Sequence, residues 1–286
     1  MLSMDEVNHF NTFGYVVRKQ VFSKGEMDVI STSFDAAMRV ARGGAEEPEV
    51  LQDEQGYSRK RQQVVPFFDY ASDVFYPLLD DDRIMGPFGQ LLGGDFLFTL
   101  SEGIIHAGGT GWHTDAVAPE GMRTMRAALY LDELGSDDWC LSVVPGSHHA
   151  AFRESIRDTL ASSDSQGNLL TGRLALSNNP GDVLFMNHKL FHTSLSDRPG
   201  RRAVHVNCTQ NAGAVPGEEK FEWLEGFLAG ETGNWGRFYS DKLIARATPR
   251  LLTMLQRAMV LGFGNTGPGG YFRWHRQPQF GILWPH

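Results

Sequence analysis

The sequence predicts a mainly β fold with helical decoration, an antiparallel barrel or sandwich with helices at its two ends, and three observations predict it. Five short β-type runs, Phe96–Leu100, Ala127–Leu131, Cys140–Val144, Asp182–Met186 and Ala203–Asn207, follow one another with Gly- or Pro-bearing turns between them. Helical periodicity is confined to the flanks, before Phe96 and after Gly217, so the runs do not read as βαβ units. No internal repeat occurs at solenoid spacing, and 286 residues suit one decorated barrel.

The elements can be justified in order. Gly14-Tyr15-Val16-Val17 is β-rich and predicts a strand at a sheet edge. Ser23 and Glu26 form a capping box, and Met27, Ile30, Phe34, Ala37 and Ala41 recur on one helical face behind it. From Ala41 to Gln63 the pattern dissolves into Gly, Glu, Pro, Gln and Arg, which predicts a solvent loop. A helical region over Tyr76–Leu92 is interrupted by Pro77, Gly86 and Pro87. The barrel core should then run over about 96–210, with a polar excursion at 150–179 centred on Ser162-Ser163-Asp164-Ser165-Gln166-Gly167-Asn168. Both loops, 41–63 and 150–179, are candidate lids. Phe221, Leu224 and Leu228, and a second stripe from Leu243 to Leu261 broken by Pro249, predict a helical extension over 217–286. The expectation is a single domain, 1–286.

Composition narrows the function. Lys and Arg number 26 against 34 Asp and Glu, a formal net charge of -8, which leaves no broad basic face for nucleic acid or an anionic membrane. No apolar run approaches the ~18 residues of a membrane span. The start, Met1–Phe10, carries Asp5 and Glu6 and does not read as a signal peptide. Two cysteines, Cys140 and Cys208, cannot build a disulfide framework, so a reducing cytoplasm is expected. Ten histidines remain as the main chemical resource.

Their placement points to one centre. Gly108-Gly109-Thr110-Gly111-Trp112-His113-Thr114-Asp115 sets an imidazole and a carboxylate two positions apart, and on a strand such residues face the same way. Downstream, Pro180-Gly181-Asp182 launches a hydrophobic strand that ends at His192, and the basic pair Arg201-Arg202 follows. Two imidazoles and one carboxylate on one face of Fe(II) leave three coordination positions open. A 2-oxo acid can fill two of them, and its far carboxylate needs a fixed bidentate cation, a task for Arg rather than Lys.

With these residues in view, the sequence resembles the phytanoyl-CoA dioxygenase family of Fe(II)/2-oxoglutarate-dependent oxygenases. The resemblance rests on Trp112-His113-Thr114-Asp115, the run Ala127–Asp132, Val144-Pro145-Gly146-Ser147-His148, Pro180-Gly181-Asp182 and His192-Thr193-Ser194 followed by Arg201, with Phe13-Gly14-Tyr15 as the entry. It implies a double-stranded β-helix of jelly-roll, cupin-like type with packed helices. It implies His113, Asp115 and His192 as iron ligands, Arg201 as partner of the 2-oxoglutarate carboxylate, and Ser194 as a hydroxyl contact. Strand alternation lets only one of Arg201 and Arg202 point inward, and Arg202 remains the alternative. The implied cofactors are Fe(II), 2-oxoglutarate and O2. The implied activity is hydroxylation of an unactivated C–H bond in a small-molecule substrate, one that could carry an anionic group, with succinate and CO2 as co-products; Asp115 favours this over halogenation. The competing reading is a cupin-like metal-binding isomerase or a non-catalytic small-molecule binding protein.

Other polar residues have plainer readings beside the functional ones. His188 has the strand parity of His192 and could face inward. His148 and His149 belong in a turn, and His106 could approach the substrate. His205 is as readily a hydrogen-bonded core histidine as a substrate contact. Arg123 and Arg126 read slightly better as solvated charges than as anion binders. Trp112 and the tail Tyr271-Phe272-Arg273-Trp274-His275-Arg276 could pack on the barrel or wall the cleft.

Overall fold

The fold is taken from a computed structural model, which describes residues 1–41, 51–52, 58–59, 61–106, 112–115, 118–135, 140–156, 172–194, 200–212, 218–235, 239–260, 276–277 and 282–283. The strands in chain order are β1 (Tyr15–Arg18), β2 (Leu51–Gln52), β3 (Ser58–Arg59), β4 (Arg61–Val64), β5 (Phe96–His106), β6 (Thr124–Tyr130), β7 (Leu141–Val143), β8 (Leu174–Leu176), β9 (Val183–Asn187), β10 (His192–Ser194), β11 (Arg201–Gln210), β12 (Arg276–Gln277) and β13 (Ile282–Leu283). The major sheet has the order β1-β9-β6-β11-β5-β4-β13-β12 and a minor one the order β10-β7-β8. Every pairing is antiparallel except β13 with β4. Along β1-β9-β6-β11-β5, neighbours in space are distant in sequence, as in a jelly roll.

The register of the central strand β11 sorts side chains onto the two faces of the major sheet. Ala203 opposes Tyr130 and Ile104, and His205 opposes Ala128 and Glu102. Opposed residues share a face and alternate residues switch it. One face therefore carries Ala128, Tyr130, Leu184, Met186 and Ala203, which pack on Leu141, Val143 and Leu176 of the minor sheet to fill the barrel. The other carries Ala127, Leu129, Phe185, Val204 and Val206, which lie under the helices.

Those helices follow from their sequences. The segment Lys24–Ala41 begins on the expected capping box, in which Ser23 N–H donates to Glu26 at 2.8 Å and Glu26 N–H to Ser23 Oγ at 3.3 Å. The apolar stripe goes down: Met27, Ile30, Phe34, Ala37 and Ala41 are all buried. Fully burying a side chain the size of Phe34 contributes about 1.5–3 kcal/mol. Pro87 sits inside the helix Asp82–Leu92. The extension is helical at Glu219–Trp235, Asp241–Arg246 and Pro249–Val260, where Pro249 starts a new helix instead of breaking an old one, but not over all of 217–286, since β12 and β13 join the major sheet beside β4.

Two glycines make close passages possible. Gly103 on the helix-facing side of β5 lies against the Phe67 ring, and any Cβ there would overlap it. Gly181 has a φ of 100° in the turn before β9, and its carbonyl accepts from Val21 N at 2.8 Å and Phe22 N at 3.1 Å.

Three expectations need correction. Residues 41–63 are not wholly loop: β2 and β3 pair with each other, and β4 extends the major sheet beside β5. Backbone pairing overrode a composition typical of loops. The run from Asp182 to His192 is two strands, since β9 ends at Asn187 and the chain turns before His192 opens β10 in the other sheet. A helix at Met4–Phe13 was not expected, although Ser3 and Glu6 cap it reciprocally in the pattern recognised at Ser23. The centre of the 150–179 excursion and the tail Tyr271–His275 lie outside the described residues.

Candidate active site

The site forms where two extended segments meet inside the barrel mouth. His113 and His192 oppose each other in an antiparallel bridge and exchange backbone hydrogen bonds of 2.9 Å in both directions. Direct opposition puts both side chains on one face, and the imidazole centroids stand 4.3 Å apart. Asp115 N–H donates to the His188 carbonyl at 2.9 Å. Its carboxylate returns to the same place, with Oδ1 3.7 Å from His113 Nε2 and Oδ2 3.5 Å from His192 Nε2. One ligand atom from each of the three residues lies within 4.8 Å of the others. The His-x-Asp spacing thus acts through a single bridge followed by a bend, not through the strand expected there.

Protonation suits a cation. His192 Nδ1 is 2.8 Å from the Leu190 carbonyl, which can only accept, so the ring proton sits on Nδ1 and Nε2 keeps its lone pair. Burial holds the imidazole neutral, with its pKa lowered to about 3. Asp115 lies on exposed backbone, yet its side chain is only 19% exposed. Burial works to raise its carboxyl, but the Arg126 guanidinium and then the nearby imidazoles outweigh burial and hold it well below the usual carboxylate range.

His188, the rival ligand, is buried and otherwise engaged. Its Nε2 lies 3.1 Å from Asn207 Oδ1, while Asn207 Nδ2 donates to Glu102 at 3.0 Å. The Asn207 oxygen is therefore the acceptor, and His188 Nε2 carries the proton that a ligand nitrogen would have to lack. The strand-parity argument for His188 fails because the chain turns between it and His192.

Arg201 and Arg202 separate as alternation requires. Arg201 is 4% exposed, donates to Ser194 Oγ, and holds its guanidinium 5.7 Å from the Tyr130 ring centroid. Arg202 points away to Asp132 Oδ1 at 2.7 Å and Asp35 Oδ2 at 2.8 Å. Ser194 follows His192 by two residues on β10, so both face the same way about 7 Å apart. His106 opposes Arg201 across β5 and β11.

Sequence reasoning missed a buried polar group beside the triad. Arg126, which read slightly better as a solvated charge, places Nη2 2.5 Å from Asp115 Oδ2 with only 15% of its side chain exposed. Glu102 accepts from Gln63 Nε2, His205 Nδ1 at 3.2 Å and Asn207 Nδ2. Burial raises the Glu102 carboxyl, but the His205 hydrogen bond and the nearby charges prevail and hold it at about 2. The alternation of β11, with Arg201, His205 and Asn207 on one side, was the available signal. Arg123 instead donates to the Leu91 carbonyl at 2.9 Å. His148 and His149 lie in and just after a turn and donate to the Asn11 carbonyl, and Trp112 stacks on Phe191 at 5.5 Å.

A jelly roll that brings two histidines and a carboxylate together defines a cupin-type protein whose triad could hold a metal ion. The chain belongs to the phytanoyl-CoA dioxygenase family of Fe(II)/2-oxoglutarate-dependent oxygenases: the family model for phytanoyl-CoA dioxygenase matches residues 10–203. Comparison with curated proteins finds no match. Among solved structures, HygX from Streptomyces hygroscopicus with nickel and 2-oxoglutarate bound is 19% identical with a TM-score of 0.57, covering 73% of this chain and 87% of that one. EctD from S. alaskensis with bound Fe is 21% identical with a TM-score of 0.55, covering 73% and 77%. SnoK from nogalamycin biosynthesis, a non-heme alpha-ketoglutarate-dependent carbocyclase, is 20% identical with a TM-score of 0.53, covering 73% and 84%. These likenesses show the fold. No helix among the described residues is long and apolar enough to cross a membrane.

Proposed function

We propose that this protein is a single-domain Fe(II)/2-oxoglutarate-dependent dioxygenase that hydroxylates an unactivated C–H bond of a small molecule, with His113, Asp115 and His192 as the iron ligands. The observation that carries the proposal is the convergence of their three ligand atoms within 4.8 Å. The donor set fits the ion: the neutral His192 imidazole and the ionised Asp115 carboxylate, beside the His113 ring, are ligand types that suit Fe(II) and would leave coordination positions for a co-substrate. HygX and EctD, of the same fold, have been crystallised with 2-oxoglutarate and with nickel or iron.

When bound, iron and 2-oxoglutarate supply the O2-dependent oxidation that yields succinate, CO2 and one oxygen atom for the substrate. The protein's own residues hold and orient. Arg201 offers a charged fork to the distal carboxylate of 2-oxoglutarate, and the Ser194 hydroxyl beside it supplies a second donor. Tyr130 backs the guanidinium and keeps water from it. The Leu190 carbonyl fixes the tautomer of His192, and the backbone bridge with His113 sets the two residues opposite each other. Arg202, paired outside the barrel, takes no part.

The test is succinate formation from 2-oxoglutarate with Fe(II) and O2 in the presence of candidate substrates. The expected outcome is metal-dependent succinate that vanishes in Asp115→Ala. Folded protein that binds metal yet forms no succinate with any candidate would favour a metal-binding isomerase or a non-catalytic binding protein.

A further inference from the structure

We infer that Arg126 is a positioning residue that holds Asp115 as a one-oxygen ligand and so keeps the third open coordination position free for O2. The inference rests on the iron site proposed above and extends it to a residue outside the proposed ligand set.

Asp115 lies on a bend, and among the described residues its backbone is anchored by the hydrogen bond from its N–H to the His188 carbonyl. A carboxylate left to itself beside a divalent cation can bind through one oxygen or both. Two-oxygen binding would use four of six positions together with the two histidines, and a 2-oxo acid would take the rest. Room for O2 therefore depends on the second carboxylate oxygen being occupied elsewhere.

Arg126 is built for that task. It stands on β6, inside the major sheet, opposite Asn207 of β11 and Met186 of β9, so its backbone is fixed from both sides. Its Nη2 meets Asp115 Oδ2 at 2.5 Å, leaving Oδ1 as the freer oxygen. A buried guanidinium beside a metal ion would be costly without compensation. Glu102 provides it: ionised, buried and fixed by Gln63, His205 and Asn207, it favours the Arg126 charge together with Asp115. His205, 3.4 Å from Arg126 Nη1 and 3.2 Å from Glu102, lies between the two charges.

The experiment compares wild type, Arg126→Met and Arg126→Lys under anaerobic conditions, each checked for folding by circular dichroism. Fe(II) and 2-oxoglutarate are titrated while the weak visible band of the chelate is followed. Nitric oxide is then added as an O2 surrogate and its iron complex quantified by electron paramagnetic resonance. Wild type should form the band and take up nitric oxide. Arg126→Met should still form the band and take up nitric oxide about tenfold more weakly, with Arg126→Lys in between. Wild-type nitric oxide uptake in Arg126→Met would overturn the inference. If Arg126→Met does not fold, Arg126→Lys decides: it keeps the charge but loses the fork, and wild-type behaviour in it would also overturn the inference. A wild type that forms no band overturns the iron and 2-oxoglutarate reading itself, a different outcome from a normal band with unchanged nitric oxide uptake.

Discussion

The two faces of β11 are made from adjacent residues and have opposite characters. Toward the barrel interior it presents Arg201, His205 and Asn207, with Ala203 as the one small apolar member; toward the helices it presents Val204, Val206 and Cys208. The outer face is a packing surface whose members are interchangeable within limits of volume. The inner face is polar, and each of its polar side chains has a partner: Arg201 has Ser194, His205 has Glu102, and Asn207 has Glu102 and His188. Arg202 shows how sharp the division is. One residue from Arg201, it lies outside the barrel in an ion-pair cluster with Asp132 and Asp35. The polar side chains inside mark the site, and the apolar ones outside hold the sheet that presents it.

That contrast can be broken at several points, from the largest effect to the smallest. Asp115→Ala or His192→Ala should abolish 2-oxoglutarate turnover, by about 10³-fold or more, while thermal unfolding still shows a cooperative transition. Arg201→Ala should raise the KM for 2-oxoglutarate by about 10²-fold, the scale of losing one partner of a buried charge pair, whereas Arg202→Ala should leave it unchanged. Equal effects at the two arginines would erase the distinction between the faces.

On the outer face the readout changes from kinetics to stability. Gly103→Ala forces a methyl into the Phe67 ring and should cost about 1–3 kcal/mol by denaturant unfolding, with KM for 2-oxoglutarate unaltered. Arg202→Ala should cost about 1 kcal/mol or less, because its partners are partly solvated.

The interior histidines predict the pH response of the metal-free protein. Burial lowers the pKa of His188, and of the partly buried His148, to about 4 in the fold, against the ordinary value of 6.5. Between those values the unfolded chain binds more protons than the folded one, so stability must fall as pH drops from about 6.5 toward 4. The carboxyls of Glu102 and Asp115, lowered in the fold, contribute stability that begins to be lost only below about pH 4.5. Melting temperatures should decline across the first window, with less decline there for His188→Gln than for wild type. A flat profile between pH 6.5 and 4.5 would contradict the neutral, buried state of these rings.

Much of this was legible in the sequence for a simple reason. Strand runs announce themselves through local composition, and the capping box at Ser23 and Glu26 and the stripe behind it are contained within one helix. The His113, Asp115 and His192 motifs are short-range and bring themselves to notice. What sequence could not show depends on non-local pairing. Whether Arg201 or Arg202 turns inward is set by the register of β11 against β5 and β6. The break between β9 and β10 falls at Asn187-His188-Lys189, a short polar interruption between two apolar stretches that local composition alone does not separate into strands of different sheets. Arg126 looks solvated until the segment carrying Asp115 folds across β6 and covers it. The helix at Met4–Phe13 is a different kind of miss, since its capping box was as readable as the one at Ser23.

The central claim is that the triad and Arg201 together bind iron and 2-oxoglutarate. Anaerobic addition of Fe(II) and then 2-oxoglutarate to the protein, followed by visible absorption, tests it most directly. A weak visible charge-transfer band should develop only when both are present, saturate at one equivalent of each, and be lost in His192→Ala. A colourless mixture with fully folded wild-type protein would contradict the claim.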